Sequence, residues 1–290
     1  MCLRLVFRGI VPHARWKGHR TGPGGRSSGN VKDRGRGAVA EHGADSAAFE
    51  ALGAARLAEH PAGAARIPLS EPGVHVWRVP LDAGSPSVSD IIALLSPEER
   101  DRMSRFRLDA DQRRYGSAHA ALRLLLGHYL GLDPHDLAFA AGAHGKPYLA
   151  SAPAIEFNLS HSGDLALIAV SHNRPVGVDV ESSARRTLDV PTLARRVLCP
   201  REHEWLSRVE ERSRAHAFLR LWACKEAVSK AAGGGFTIGF ARIATDPDPL
   251  FAERSQHLQC AGGHWRLHVL EPGDGYVGAL AVAVEHTGST

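Results

Sequence analysis

Three short segments carry side chains whose types and spacing could do chemistry. In Gly177-Val178-Asp179-Val180-Glu181 two acids alternate with valines. In a strand, residues two apart share a face, so Asp179 and Glu181 present two carboxylates together while Val178 and Val180 turn to a core. Neighbouring carboxylates raise each other's pKa unless a cation lies between them, and a hard divalent ion with oxygen ligands is the natural one. The same pattern also fits a solvated edge strand that happens to carry two acids. In the second segment Trp222, Glu226 and Lys230 are spaced four apart and share one helical face. A surface Glu–Lys pair beside a core Trp explains these residues, but not the triple glycine Gly233-Gly234-Gly235 that follows. Joined to Asp179 and Glu181, Glu226 would complete three carboxylates for one magnesium, an ion that also takes ligands from substrate phosphates.

The third segment is Phe157-Asn158-Leu159-Ser160-His161-Ser162-Gly163. Ser160 beside His161 suggests a hydrolase, but adjacent residues of a strand face opposite sides, and no G-x-S-x-G elbow is present. Polar donors in a turn after a strand suit phosphate oxygens better. Gly145-Lys146-Pro147, slightly upstream, sets a cation in a stiff turn.

These residues need elements to position them. Val74 to Val79 alternates as a strand. Ser96-Pro97-Glu98-Glu99 opens a helix running through Arg102 and Phe106. A second helix spans Asp111 to Leu130, with Leu122, Leu125, Leu126 and Tyr129 on one stripe, and Gly131 ends it. Ala166–Val170 and Val176–Val180 read as strands joined by a turn at His172–Pro175. Thr192–Val197 and Arg201–Val209 read as short helices, and Ala215–Ala232 as a longer one closed by the glycines. His264–Leu270 and Tyr276–Val284 form a terminal hairpin. This order predicts an α+β fold.

Composition narrows the function classes. The 290 residues carry a formal charge of +4, but residues 1–70 hold 11 Lys+Arg against 5 Asp+Glu, which leaves 24 against 26 for the rest. The body is therefore slightly acidic, and without interleaved aromatics it offers no nucleic-acid footprint. Residues 1–70, rich in Gly, Ala and Arg, read as a disordered extension, because few large apolar side chains are present to offset the ordering entropy. The cysteines Cys2, Cys199, Cys224 and Cys260 make no CxxC pair and suit a reducing, cytoplasmic setting. No apolar run reaches the roughly 18–20 residues of a spanning helix.

Together, Gly145-Lys146-Pro147, the Phe157–Gly163 run, Gly177–Glu181, and Trp222–Lys230 with Gly233 and Gly235 resemble the Sfp-type 4′-phosphopantetheinyl transferases, in that family's order and spacing, over about residues 74–284. The resemblance implies a pseudo-twofold pair of α+β halves in one chain, here residues 71–175 and 176–290, with the site between them. It implies a magnesium-dependent monomer that uses coenzyme A to prime apo acyl or peptidyl carrier proteins, with no nucleic-acid or membrane partner. Asp179, Glu181 and Glu226 match its metal carboxylates, and Glu226 with Lys230 its catalytic pair. Lys230 and its motif neighbour Lys225, together with Asn158, Ser160 and His161, match residues around the coenzyme A phosphates. Lys146 matches the adenine and 3′-phosphate region, where Arg114 and Arg102 also reach. Glu99 departs from the pattern: some relatives carry a lysine there, as part of a basic lining from the first helix. A coenzyme A or nucleotide-binding module without transfer activity would keep the phosphate residues and lack the carboxylate trio.

Overall fold

The computed structural model describes residues 5–9, 69, 73–81, 87–184, 189–235 and 239–284. Most of the extension expected over residues 1–70 lies outside the described residues. Within it, Leu5–Gly9 forms β1, an element not anticipated above, parallel to β2 (Val74–Pro80) with Leu5 opposite Val74.

Helix α1 (Val88–Leu94) is short and also unanticipated, and is closed at its start by a reciprocal cap between Ser87 and Asp90. Ser96 and Glu99 make the same cap for α2 (Pro97–Ser104), which ends two residues before the expected Phe106. Helix α3 (Asp109–Leu130) buries the stripe of Leu122, Leu125, Leu126 and Tyr129 and stops at Gly131, whose φ of 68° is the left-handed cap a glycine makes without strain. A small hairpin, β3 (Phe139–Ala141) with β4 (Pro147–Leu149), follows. Then come β5 (Ile155–Ser162), β6 (Leu165–His172) and β7 (Val176–Ser182). Helices α4 (Val190–Val197), α5 (Pro200–Arg208), α6 (Glu211–Ala232) and α7 (Pro247–Glu253) lead to β8 (Ser255–Cys260), β9 (Gly263–Leu270) and β10 (Tyr276–Ala283).

The strands build two four-stranded sheets, β1-β2-β6-β5 and β7-β10-β9-β8. Alternation along each strand sets the layers. Val74, Val76, Leu165 and Leu167 of the first sheet pack on Val176, Val178, Val180, Leu280 and Val282 of the second. The opposite face of the first sheet, with Trp77 and Ile168, is covered by Leu122, Leu125 and Leu126 of α3. The opposite face of the second, with Leu267 and Ala279, is covered by Phe218, Leu221 and Val228 of α6. The result is a mixed α+β molecule in which helix, sheet, sheet and helix succeed one another.

Strands β6 and β7, joined by the expected turn, do not pair. β7 instead takes β10 as its hydrogen-bonded neighbour, with Asp179 opposite Ala279. Its other edge faces β5 and is satisfied by side chains. The backbone N–H groups of Val178, Val180 and Ser182 donate to Asn158 Oδ1 at 2.9 Å, Ser160 Oγ at 3.4 Å and Ser162 Oγ at 3.1 Å. Residues two apart on β5 thus meet residues two apart on β7, and the polar alternation of Asn158, Ser160 and Ser162 joins the sheets.

Candidate functional site

Asp179 and Glu181 extend from β7 toward α6, on the face away from the valine core. Gly177 makes this close approach feasible: a Cβ there would lie 2.1 Å from the Ala227 carbonyl oxygen and 2.4 Å from the Ala231 nitrogen. The helix therefore rests on bare backbone, and its Lys230 and Glu226 come near the two acids, while Trp222 packs on Phe240. Lys230 Nζ donates to Asp179 Oδ1 at 2.6 Å, to Ser160 Oγ at 3.0 Å and to the Val178 carbonyl at 3.3 Å. Ser160 Oγ also donates to Asp179 Oδ1 at 2.8 Å, and Ser162 Oγ donates to Glu181 Oε2 at 3.2 Å. Asp179 is 4 % exposed and Glu181 8 %. That burial overturns the solvated-edge reading of the VDVE segment.

The electrostatics show how closely these acids crowd. Burial first, and then the Asp179 and Glu181 carboxylates, push Glu226 up to about 7 against the opposing pull of Lys230. Asp179 Oδ2 is buried and makes no hydrogen bond, although a buried charged oxygen ordinarily finds a partner. Among the described residues no three His, Cys, Asp or Glu side chains stand as a finished metal cage; Lys230 is the counter-ion that Asp179 has. Mutually repelling carboxylates and an orphaned, buried Oδ2 nevertheless fit a hard oxygen-seeking cation, which Asp179, Glu181 and Glu226 could hold.

Beside the carboxylates lies a cleft of about 380 Å³ lined by Phe106, Arg114, His161, Gly163 and Ser182, among others. His161 is on the outer face of β5, opposite Ser160, as strand alternation requires. Desolvation within the cleft, and then the charges of His119, Lys230 and Arg114, hold its imidazole below the ordinary value. Arg114 is fixed by Asp164 at 2.8 Å and Asp111 at 3.1 Å. Arg102 stands over the Tyr115 ring, 5.8 Å from its centroid, and shares with Phe106 an adjoining depression of about 510 Å³. Glu99 turns inward: it accepts from Arg123 Nε at 2.6 Å and meets His119 Nδ1 at 3.4 Å. Burial alone would raise its carboxyl, but the hydrogen bonds of His119, Ser96 and Arg123 outweigh that and hold it below the usual range.

Three expected ligand residues are engaged elsewhere. Lys225 is wholly buried, its ammonium 2.7 Å from Glu202 Oε2 and donating to the Phe240 and Ile243 carbonyls at 3.0 and 2.5 Å. It points away from Glu226 because adjacent helical residues face about 100° apart, so its expected place among the coenzyme A residues is corrected. Asn158, 6 % exposed, holds β7 rather than lining the cleft, and its place there is corrected as well. Lys146 donates to the Val176 and Ala231 carbonyls at 3.1 and 3.4 Å, and lies 3.5 Å from Glu156. Desolvation lowers its pKa, against the Glu156 charge. It thus bridges the start of β7, the C-terminal turn of α6 and β5.

Within the quoted motifs Gly177 and Ser162 carried no role in the sequence reading, and Arg123 and Glu202, which fix Glu99 and Lys225, were not named. Ser162 continues the Asn158–Ser160 alternation and was legible from it; Glu202 gives no such signal.

Comparison with known proteins adds the following. Residues 175–281 match the model of the 4′-phosphopantetheinyl transferase superfamily, and residues 83–173 that of the 4′-phosphopantetheinyl transferase N-terminal region. The chain is 39 % identical over 217 residues to the 4′-phosphopantetheinyl transferase HetI of Nostoc, covering 72 % of this chain and 87 % of that protein. It is 34 % identical to a putative 4′-phosphopantetheinyl transferase of Synechocystis (68 % and 79 % covered) and 32 % identical to a 4′-phosphopantetheinyl transferase of Bacillus subtilis (57 % and 71 % covered).

Proposed function

This chain belongs to the 4′-phosphopantetheinyl transferase superfamily, and on that premise we propose that it moves the phosphopantetheine arm of coenzyme A onto a serine of an apo acyl or peptidyl carrier protein, as a holo-[acyl-carrier-protein] synthase does. The observation that carries the reading is the seat of Asp179, a buried carboxylate with one oxygen on Lys230 and the other without a partner.

In this reading Asp179, Glu181 and Glu226 hold magnesium, which when bound supplies Lewis-acid neutralisation of the coenzyme A pyrophosphate. The protein's own groups do the rest. The carrier serine oxygen forms a bond to the β-phosphorus, the bridging P–O bond breaks, and 3′,5′-ADP departs with that oxygen. Glu226 accepts the serine proton, directly or through a water. Lys230 neutralises charge on the departing phosphate, and Ser160 orients both Lys230 and Asp179. Arg114 and Arg102 attract the nucleotide phosphates to the cleft. His161, neutral at pH 7 in the free protein, donates one hydrogen bond to a phosphate and would gain a proton as that anion settles.

The architecture supports the rest of the reading. Two four-stranded sheets are each covered by a 22-residue helix, in keeping with pseudo-twofold halves over residues 71–175 and 176–290 and a site between them; Leu5–Gly9, from within residues 1–70, adds the edge strand of the first sheet. No helix among the described residues is long and apolar enough to cross a membrane; we place the enzyme in the cytoplasm as a monomer, with neither nucleic acid nor membrane as partner. Incubation with coenzyme A, magnesium and a panel of apo carrier domains tests the proposal. A phosphopantetheine mass gain on at least one carrier supports it, and no gain on fatty-acid, polyketide and nonribosomal-peptide carriers alike overturns it.

A further inference from the structure

The reading above gives Lys230 two partners, the Asp179 carboxylate and the coenzyme A phosphates. Its ammonium is held by Asp179 Oδ1 at 2.6 Å, by Ser160 Oγ at 3.0 Å and by the Val178 carbonyl at 3.3 Å. Asp179 Oδ1 already accepts from Ser160 as well. A divalent ion that takes Asp179 as a ligand must share a small carboxylate with an ammonium, and two cations a few ångströms apart repel strongly in so poorly solvated a place. Lysine has a long flexible stem, and the Lys230 side chain retains 27 % exposure, so it has room to move off its partner; Asp179, at 5 %, does not.

We propose that Lys230 is the counter-cation of Asp179 until a metal ion takes that place: metal binding displaces its ammonium from Asp179, and the displaced ammonium is what the coenzyme A pyrophosphate receives. Metal and coenzyme A then bind cooperatively through one side chain. Lys230 opposes the metal while it sits on Asp179 and assists coenzyme A once it has left, and the coupling is reciprocal, each ligand tightening the other by one factor. The inference rests on the magnesium and coenzyme A reading of this site and adds the exchange of Lys230 between them.

The test uses Mn²⁺ as probe, with free Mn²⁺ counted by electron paramagnetic resonance in titrations of the full chain, with and without coenzyme A. Without coenzyme A, Lys230→Met should bind Mn²⁺ at least about fivefold more tightly than wild type, the lower end for coupled sites. The factor by which coenzyme A tightens Mn²⁺ should shrink by about the same amount, although the phosphates themselves still offer ligands. Lys230→Arg, which keeps a cation on Asp179, should follow wild type in Mn²⁺ alone. Lys230→Gln gives the same comparison should the methionine variant not fold. Mn²⁺ affinity in Lys230→Met no tighter than wild type, or an undiminished effect of coenzyme A, overturns the exchange while leaving the metal site in place. Absence of Mn²⁺ binding to wild type overturns the metal reading itself, and the exchange with it.

Discussion

Helix α6 carries two lysines five positions apart, and each holds a buried carboxylate. Lys225 lies 2.7 Å from Glu202 with both side chains fully buried; Lys230 lies 2.6 Å from Asp179 with its own side chain 27 % exposed. Around the first pair every group is matched. Glu202 Oε1 accepts from the Thr245 N–H and hydroxyl, Oε2 accepts from the Cys199 N–H, and Lys225 also reaches two carbonyls. Around the second pair a carboxylate oxygen remains orphaned and a third carboxyl is pushed up to about 7. A saturated buried pair ties α5, α6 and the Phe240–Thr245 segment together and cannot exchange partners. An unsaturated pair at a cleft can. The distances barely differ, so the pairs are told apart by what surrounds them, and that division can be tested from both sides.

The largest effect should come from the unsaturated side. Glu226→Ala is expected to cut transfer to an apo carrier protein about a hundred- to ten-thousand-fold, the range for losing a positioned general base, with the circular dichroism spectrum unchanged. A rate within tenfold of wild type would remove Glu226 from the chemistry. Next comes the saturated side. Lys225→Met strands Glu202 in a dry interior, which costs about 3–5 kcal/mol when one partner of a buried pair is lost, read from urea unfolding. The fraction that stays folded should keep its KM for coenzyme A. Lys230→Met should do the reverse, moving KM and kcat and changing stability less. A raised KM in a folded Lys225 variant would return Lys225 to the ligand set.

The same contrast shows what the sequence could reveal. The alternation of Asp179 and Glu181 with valines, and the four-residue spacing of Trp222, Glu226 and Lys230, are local periodicities, and local geometry carried them into the structure intact. That spacing also held the answer on Lys225, which falls off the shared face, but its place inside the motif drew it into the ligand set. Asn158 and Ser160 were legible as polar donors, not as donors to a particular recipient. Their recipient is the edge of β7, about twenty residues on, and strand pairing at that range leaves no mark in either segment. Glu202 was illegible altogether: a glutamate in the first turn of a short helix reads as a solvated cap, and only the fold brings Lys225 and Thr245 to it. The inward turn of Glu99 has the same origin, since Arg123 and His119 are a helix away.

Gly177 sharpens the comparison from the backbone. It lets α6 approach β7 closely enough for Lys230 to reach Asp179, whereas the Lys225–Glu202 pair is anchored on the other side of the helix. Gly177→Ala forces a methyl into the Ala227 carbonyl and the Ala231 nitrogen, and such overpacking costs about 1–3 kcal/mol. If the helix yields by moving off β7, transfer should fall by more than this loss of stability explains, because Glu226 and Lys230 move with it. Loss of stability with unchanged kcat would show that the close approach serves packing alone.

The smallest effect concerns His161, on the cleft side of the same strand that joins the sheets. Its folded-state pKa lies below the ordinary value, through desolvation first and then the neighbouring charges of His119, Lys230 and Arg114. The unfolded chain therefore takes up a proton at a pH where the folded protein still resists it. The resulting penalty is absent above the unfolded value near 6.5 and grows as pH falls through that value toward the lowered folded one. His161→Gln should thus flatten the fall in Tm below pH 6.5 and leave Tm at pH 8 nearly unchanged. Adding coenzyme A to wild type should move the His161 titration, followed by its ring proton shifts, upward, because a bound phosphate favours the imidazolium. A titration already above 6.5 in the free protein would contradict the crowding of positive charge at this cleft. Insensitivity to coenzyme A would place the phosphates away from His161 and nearer Arg102, on the far side of Phe106.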